Sequence, residues 1–175
     1  GSRQLDLVGN REAARERIQR LAIAANRLGC NAVAITPIVT SDEQAVNTIV
    51  EELRDAMADV ERLDLNLLIQ PCAGLTSDPD ELIDVIKRIG GFRSGALPTF
   101  SSASLTSDPL EALRKLAPYA GGIVADFPCG KGKKKLDPVE GLVAVCEVGY
   151  SNSNALSYVG SKNPLKEIEK VAVKM

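Results

Sequence analysis

Asp78-Pro79-Asp80-Glu81 decides the fold, because close variants of this four-residue word recur at near-equal intervals along the chain. The variants are Asp108-Pro109-Leu110-Glu111, Asp137-Pro138-Val139-Glu140 and Asn163-Pro164-Leu165-Lys166. In each word, Asp or Asn suits a helix N-cap, since its side chain accepts a hydrogen bond from a backbone N–H that the first turn leaves unpaired. Proline suits the next position because it has no N–H, and glutamate in the first turn favours the positive end of the helix dipole. The words therefore predict helix starts within a repeated structural unit.

Apolar patterning between and around these words predicts helices that alternate with strands. Helical spacing of apolar residues predicts helices over Arg11–Leu28, Glu43–Arg62, Pro79–Ile89, Pro109–Leu116, Pro138–Val148 and from Pro164 to the end. Nearly continuous apolar runs, typical of strands covered on both faces, predict strands over Asn31–Ile38, Leu65–Gln70, Phe92–Leu97, Gly122–Asp126 and Ala155–Tyr158. Strict alternation with short connections indicates an α/β fold with a parallel sheet and right-handed crossovers.

Two architectures fit this alternation, an open doubly wound sheet and a TIM-type (β/α) barrel. No glycine-rich phosphate-binding motif follows any predicted strand, so the nucleotide-binding forms of the open sheet lose support. The near-equal unit length favours the barrel, although about five strands are predicted and a closed barrel needs eight. We therefore expect an incomplete barrel, which is either part of a larger domain or completed by self-association or by a partner chain.

The composition limits the classes of function. The chain has 175 residues, 45% of them hydrophobic, and a formal charge of −2. Lys and Arg are dispersed along helical stretches, which argues against nucleic acid as a partner. The apolar runs fall short of the roughly 20 residues that cross a bilayer, and no signal-peptide pattern is present. These features predict a soluble, cytoplasmic protein without membrane contact. Gly1-Ser2 resembles the remnant of a removed tag, so residues 1–10 are predicted to be lead-in and 11–175 to form one domain.

The four cysteines lie far apart and the chain has no histidine, which makes a structural zinc site improbable. Cys30 and Cys146 are interpreted as small buried hydrophobes. Cys72 and Cys129 each follow an apolar strand, where α/β folds place their chemistry. Without a histidine to act as base, either thiol could be a nucleophile only through a lowered pKa.

Three longer segments carry a resemblance to a known family. The three segments are Leu67–Leu82, Asp108–Tyr119 and Leu156–Ile168, and the dipeptide Gly149-Tyr150 precedes the last of them. In this order they resemble the xylose isomerase-like TIM barrels, the sugar phosphate isomerase/epimerase family. The resemblance begins near the family's third strand and ends after its seventh. It implies that the first two βα units are absent, which would explain five strands.

The resemblance implies a metal site that this sequence does not match. Members of the family typically hold a divalent metal with carboxylates and histidines at the strand ends, and the metal polarises a carbonyl and hydroxyl pair while acidic residues move the proton. At the corresponding positions this chain has Gln70, Thr99, Gly122 with Val124, and Ser157. A neutral amide or hydroxyl binds a hard cation less strongly than a carboxylate does. We therefore expect no metal and no other cofactor, and the catalytic residues are unknown.

Polar side chains at the predicted strand ends are the candidates for binding a ligand. Asp126 is the one carboxylate among them, and it is joined by Gln70, Cys72, Thr99 and Ser157. Each also has a structural interpretation. Asp126 can cap a loop or pair with a lysine, Gln70 can be a satisfied buried amide, and Thr99, with the serines that follow it, can serve a turn.

The basic run Lys131-Gly-Lys-Lys-Lys135 follows the fourth predicted strand, on the rim where a (β/α) barrel admits ligands. Lys131 is therefore a candidate for holding an anion such as a sugar phosphate. The alternative is a solvated loop without a ligand.

Three functions remain open at this point. The first is an isomerase/epimerase-like barrel that has lost its metal site and has a binding or assembly role. The second is an active isomerase or epimerase of a sugar or sugar phosphate, whose site is completed by missing units or by a partner chain. The third is an engineered or excised barrel segment.

Overall fold

The computed structural model describes residues 4–38, 42–129 and 136–174. The chain divides into two compact units, Gly1–Ala96 and Leu97–Met175. No helix within the described ranges combines the length and the apolar character that a membrane span requires.

The first unit is a three-stranded parallel sheet with its helices. Its elements are α1 (Arg11–Arg27), β1 (Ala32–Ile35), α2 (Glu43–Glu61), β2 (Asn66–Ile69), a 3₁₀ turn (Leu75–Ser77), α3 (Pro79–Ile89) and β3 (Ser94–Ala96). The strands are ordered β1-β2-β3, and Ile35 and Ile69 are register partners, as are Ile69 and Ala96. The carboxyl ends of the three strands therefore lie at one edge of the sheet.

The helices of this unit bury one apolar stripe each. Along α2 the stripe includes Ile49, Leu53 and Val60, all fully buried, at the spacing that places side chains on one helix face. Leu5 and Leu7, which precede α1, are also buried, and Leu5 pairs with the segment after β1 through hydrogen bonds with Thr36 and Ile38. The residues before α1 thus contribute to this core.

The second unit is built around a two-stranded parallel sheet. Its elements are α4 (Phe100–Ala103), α5 (Pro109–Leu116), a 3₁₀ turn (Ala117–Tyr119), β4 (Ile123–Phe127), α6 (Pro138–Glu147), β5 (Asn154–Tyr158) and α7 (Pro164–Ala172). Asp126 and Ser157 are register partners in β4 and β5, and so are Phe127 and Tyr158. Thr99, just before α4, forms an isolated parallel bridge with Val124 of β4.

One hydrophobic cluster defines the two faces of the β4–β5 sheet. Phe100 lies in this cluster with residues of α5 and α6, among them Leu113 and Val145, and with Ile123 and Ala125 of β4. Because successive side chains of a strand point to opposite faces, the intervening Val124 and Asp126 face away from this helix layer. Ser157, the register partner of Asp126, shares that second face.

All four words begin helices as predicted. Asp78, Asp108, Asp137 and Asn163 each accept a hydrogen bond from a first-turn backbone N–H, at 2.9 to 3.3 Å, and proline follows each of them. The predicted alternation and the five parallel strands are also confirmed. Each helix start depends on contacts within a few residues, which explains why the local sequence was sufficient.

Two expectations differ from the structure. The short helix α4 (Phe100–Ala103) was not predicted, because Thr99, Ser101 and Ser102 were interpreted as turn residues. Cys30 and Cys146 are exposed, so their interpretation as buried hydrophobes is wrong. Cys30 follows the end of α1 and Cys146 lies on the solvent side of α6, where neither side chain reaches a core.

Candidate functional site

Three of the predicted site residues come together in the second unit. Asp126 and Ser157 are direct neighbours near the carboxyl ends of β4 and β5, both half-buried on the sheet face away from the helix layer. Thr99 is the bridge partner of Val124, which lies two residues before Asp126 on the same face of β4. The arrangement matches the expectation that strand ends of a parallel sheet meet at one edge.

The carboxylate of Asp126 is already used within the unit. Its Oδ1 accepts a hydrogen bond of 2.9 Å from the backbone N–H of Ser101, in the first turn of α4. A carboxylate at a helix start satisfies an N–H that has no partner within the helix. Asp126 therefore has the capping role considered from the sequence, although the segment that it caps precedes β4.

Thr99 is held by a reciprocal cap at the same helix start. Its Oγ1 accepts from the N–H of Ser102 at 2.9 Å, and the Oγ of Ser102 accepts from the N–H of Thr99 at 3.0 Å. Both residues are buried. Sequence reasoning missed this pair, although two hydroxyl residues three positions apart have the spacing of a capping box. The hydroxyl of Thr99 therefore serves as the N-cap of α4.

Gln70 and Cys72 lie in the first unit, after β2. Gln70 is half-buried, and its backbone N–H donates to Ile35 at 2.8 Å, whereas its side-chain amide has no hydrogen-bond partner among the residues described. The thiol of Cys72 donates to the carbonyl of Pro37 at 3.3 Å and lies 3.5 Å from the hydroxyl of the buried Thr76. Cys72 therefore links two loops, while the Gln70 amide is available to a ligand.

Cys129 follows β4 and is buried. Burial raises the pKa of its thiol, and the carboxylate of Asp126 raises that pKa further. The thiol also lies 3.9 Å from the carbonyl of Leu136, at the distance of a weak hydrogen bond. Because the thiolate is the reactive form, a raised pKa argues against a nucleophilic role for Cys129.

The predicted anion-binding Lys131 lies outside the described residues. Within the described ranges, no group of three or more His, Cys, Asp or Glu side chains is placed to hold a metal ion. Within the second unit, the oxygen donors at the strand ends are one capped carboxylate and hydroxyls, which bind hard divalent cations weakly. In the first unit the predicted strand-end donor is the neutral Gln70 amide, which also binds such cations weakly.

Asp126→Ala is expected to lower the free energy of unfolding by about 0.5–2 kcal/mol, because the N–H of Ser101 loses its acceptor. Asp126→Asn keeps a side-chain oxygen and should remain close to wild type. Urea unfolding followed by far-UV circular dichroism measures both variants. Equal losses in the two variants would contradict a capping role, since that role depends on the acceptor and less on its charge.

Among the comparisons with known proteins, the one with solved structures identifies proteins of the same fold. No protein-family model and no curated protein matches the sequence. Among solved structures, the xylose isomerase domain protein from Planctomyces limnophilus superposes with a TM-score of 0.73 at 16% identity, over 94% of this chain and 63% of that one. An L-ribulose 3-epimerase superposes with a TM-score of 0.75 at 13% identity, over 97% of this chain and 65% of that one. The family 2 AP endonuclease from Brucella melitensis superposes with a TM-score of 0.78 at 17% identity, over 99% of this chain and 72% of that one.

These neighbours are sugar isomerase or epimerase proteins and an AP endonuclease-type barrel, and the chain spans about 63% of the length of the first of them. Structural similarity at such low sequence identity shows that the fold is shared and shows nothing about function. The five described strands form alternating βα units, as part of an eight-stranded barrel does. The chain therefore has the fold of the xylose isomerase-like TIM barrel proteins.

Proposed function

We propose that this chain is an isomerase/epimerase-like barrel that binds a small sugar or sugar phosphate without converting it. The observation that carries the proposal is the state of Asp126. It is the one carboxylate at the ends of the described strands, and it caps α4 through Ser101. A carboxylate whose Oδ1 already accepts a hydrogen bond is less available as a metal ligand.

The remaining polar groups support binding over catalysis. The Gln70 amide offers two donors and one acceptor oxygen, and the Ser157 hydroxyl can both donate and accept. Each of these neutral groups, in its own unit, suits a hydrogen bond with a sugar hydroxyl. Neither can abstract a proton from carbon at neutral pH, because neither has a pKa near the working range of a general base. The reaction implied by the family resemblance would need a hard cation and acidic groups that the described strand-end side chains of neither unit supply.

The test combines metal binding, ligand binding and turnover. Isothermal titration with Mn²⁺ or Mg²⁺ is expected to give no specific heat at millimolar concentrations. Saturation-transfer NMR with ketoses and ketose phosphates is expected to detect a bound sugar, and Gln70→Ala should reduce that signal. The matched control is Gln44→Ala, an exposed amide on α2.

Turnover has its own readout. Epimerisation through proton abstraction incorporates deuterium from D₂O at the reacting carbon, which proton NMR detects. No incorporation is expected with or without Mn²⁺. Deuterium incorporation, or a metal titration with defined stoichiometry, would overturn the proposal and favour an active isomerase or epimerase.

A specific observation favours an assembly role as the second candidate. Within the described residues, β5 is hydrogen-bonded to β4 alone. Its βα unit exposes apolar side chains, with Val159 59%, Leu165 73% and Val173 87% accessible. An unpaired strand edge and exposed apolar side chains within the same βα unit favour association with another chain. We propose a second copy of this chain as the partner.

Light scattering coupled to size exclusion tests the assembly role. The wild-type chain is expected to form a concentration-dependent oligomer, and Leu165→Glu with Val173→Glu should shift it towards monomer. Phe92→Glu is the control, since Phe92 is fully exposed in the other unit. A monomer at all concentrations would rule out completion by a second copy.

The four free cysteines also support the proposed cytoplasmic location. Cys30 and Cys146 are exposed thiols, and none of the four is paired. Unpaired exposed thiols persist where the compartment is reducing.

A further inference from the structure

A cavity of 570 Å³ lies beside the β4–β5 sheet, on the face that carries the helix layer. Phe127 and Tyr158, register partners at the strand ends, line it together with the start of α6 and the length of α7. Their side chains point away from the face that carries Asp126 and Ser157. The cavity is therefore distinct from the candidate sugar site, and its volume falls within the range of small-molecule sites, about 300–1,000 Å³.

The floor of the cavity is apolar and ordered. The rings of Phe127 and Tyr158 pack edge to face, with centroids 5.6 Å apart and planes at 64°. The Tyr158 hydroxyl accepts a hydrogen bond of 3.0 Å from the N–H of Lys162. A Cβ at residue 160 would overlap the same hydroxyl, so Gly160 leaves room for the ring. Val171 of α7 is buried and completes the floor.

The rim of the cavity carries an excess of positive charge. It has three lysines, Lys162, Lys170 and Lys174, and two carboxylates, Asp137 and Glu167. Both carboxylates are engaged. Asp137 caps α6, and Glu167 forms an ion pair of 2.6 Å with Lys170.

Two of the rim lysines stabilise the charged form of the Glu167 carboxylate. A hydrogen bond from Lys170 lowers the pKa of Glu167, and the charge of Lys162 lowers it further. Lys174 has no ion pair with any residue in the described part of the chain. The rim can therefore accept an added negative charge, first at Lys174 and then at Lys162.

We propose that this cavity binds a small organic anion, whose apolar ring lies on Phe127 and Tyr158 and whose phosphate or carboxylate contacts Lys162 and Lys174. The two requirements act together. Aromatic floors favour rings and apolar chains through buried area, while flexible surface ammoniums favour phosphate as point charges. Neither a neutral ring nor a bare phosphate satisfies both parts of the cavity.

Three probes separate these contributions by isothermal titration. They are 1-naphthyl phosphate, which has both parts, 1-naphthol, which lacks the charge, and inorganic phosphate, which lacks the ring. The double variant Lys162→Gln with Lys174→Gln removes the charges at the rim. Lys166→Gln is the matched control, because Lys166 is an exposed lysine of α7 that does not line the cavity.

We expect 1-naphthyl phosphate to bind the wild-type chain and Lys166→Gln alike, and to bind the double variant about five- to tenfold more weakly, as exposed ion pairs imply. Added salt should weaken binding to the wild type more than to the double variant. Absence of binding at millimolar concentration would overturn the proposal. So would equal weakening in Lys166→Gln, or inorganic phosphate binding as tightly as 1-naphthyl phosphate.

Discussion

Phe100→Ala is expected to lower the free energy of unfolding by about 3–5 kcal/mol, the largest effect of any substitution considered. Phe100 is completely buried and belongs to the cluster that joins α4, α5, α6 and β4. Truncation removes the transfer free energy of the ring and leaves a cavity that the surrounding helices fill only in part. Urea unfolding of the variant and the wild type, followed by far-UV circular dichroism, measures the loss.

Phe92→Ala is the control for this prediction. The same side chain is truncated, but Phe92 is fully exposed and should change the free energy of unfolding by no more than about 0.5 kcal/mol. Similar losses in the two variants would contradict the placement of Phe100 in the core. A loss below about 1 kcal/mol for Phe100→Ala would do so as well, since it would mean that no cavity is formed.

Gly141→Ala is expected to destabilise the protein by up to about 2 kcal/mol, although alanine is the better helix former. A Cβ at position 141 of α6 would lie 2.5 Å from two ring atoms of Phe100. Helix propensity favours alanine over glycine by about 1 kcal/mol. Overpacking a closed core costs about 1–3 kcal/mol, and a fully buried ring has no free space into which to move. The steric term therefore outweighs the gain in propensity.

A smaller side chain at position 100 separates the two terms. In a Phe100→Leu background the ring atoms that meet the new Cβ are gone, so Gly141→Ala should become neutral or stabilising. The double-mutant cycle, measured by urea unfolding, is expected to show a coupling energy of about 1–3 kcal/mol. An identical effect of Gly141→Ala in both backgrounds would show that the contact between the two positions is absent.

The candidate site divides between what was predictable and what was not. That Thr99, Asp126 and Ser157 lie at or near strand ends follows from the apolar runs that predict the strands, together with the family resemblance that singled out Thr99 and Ser157. The structure places Asp126 beside Ser157. The use of the Asp126 carboxylate to cap α4 could not be predicted, because its partner Ser101 is 25 residues away and belongs to a helix that the sequence did not indicate. The position of Gln70 was predicted, but its interpretation as a satisfied buried amide is wrong, since the side chain is half-buried and has no hydrogen-bond partner among the described residues.

The sequence by itself determined where every helix except α4 starts and how the helices alternate with strands. Each Asp-Pro or Asn-Pro word acts through hydrogen bonds spanning two or three residues, so no distant part of the chain is needed. Only the tertiary structure decided which acid is engaged, which thiols are exposed and where a cavity with lysines at its rim forms. Those properties depend on side chains that meet across the fold, and a linear pattern does not record which of them come into contact.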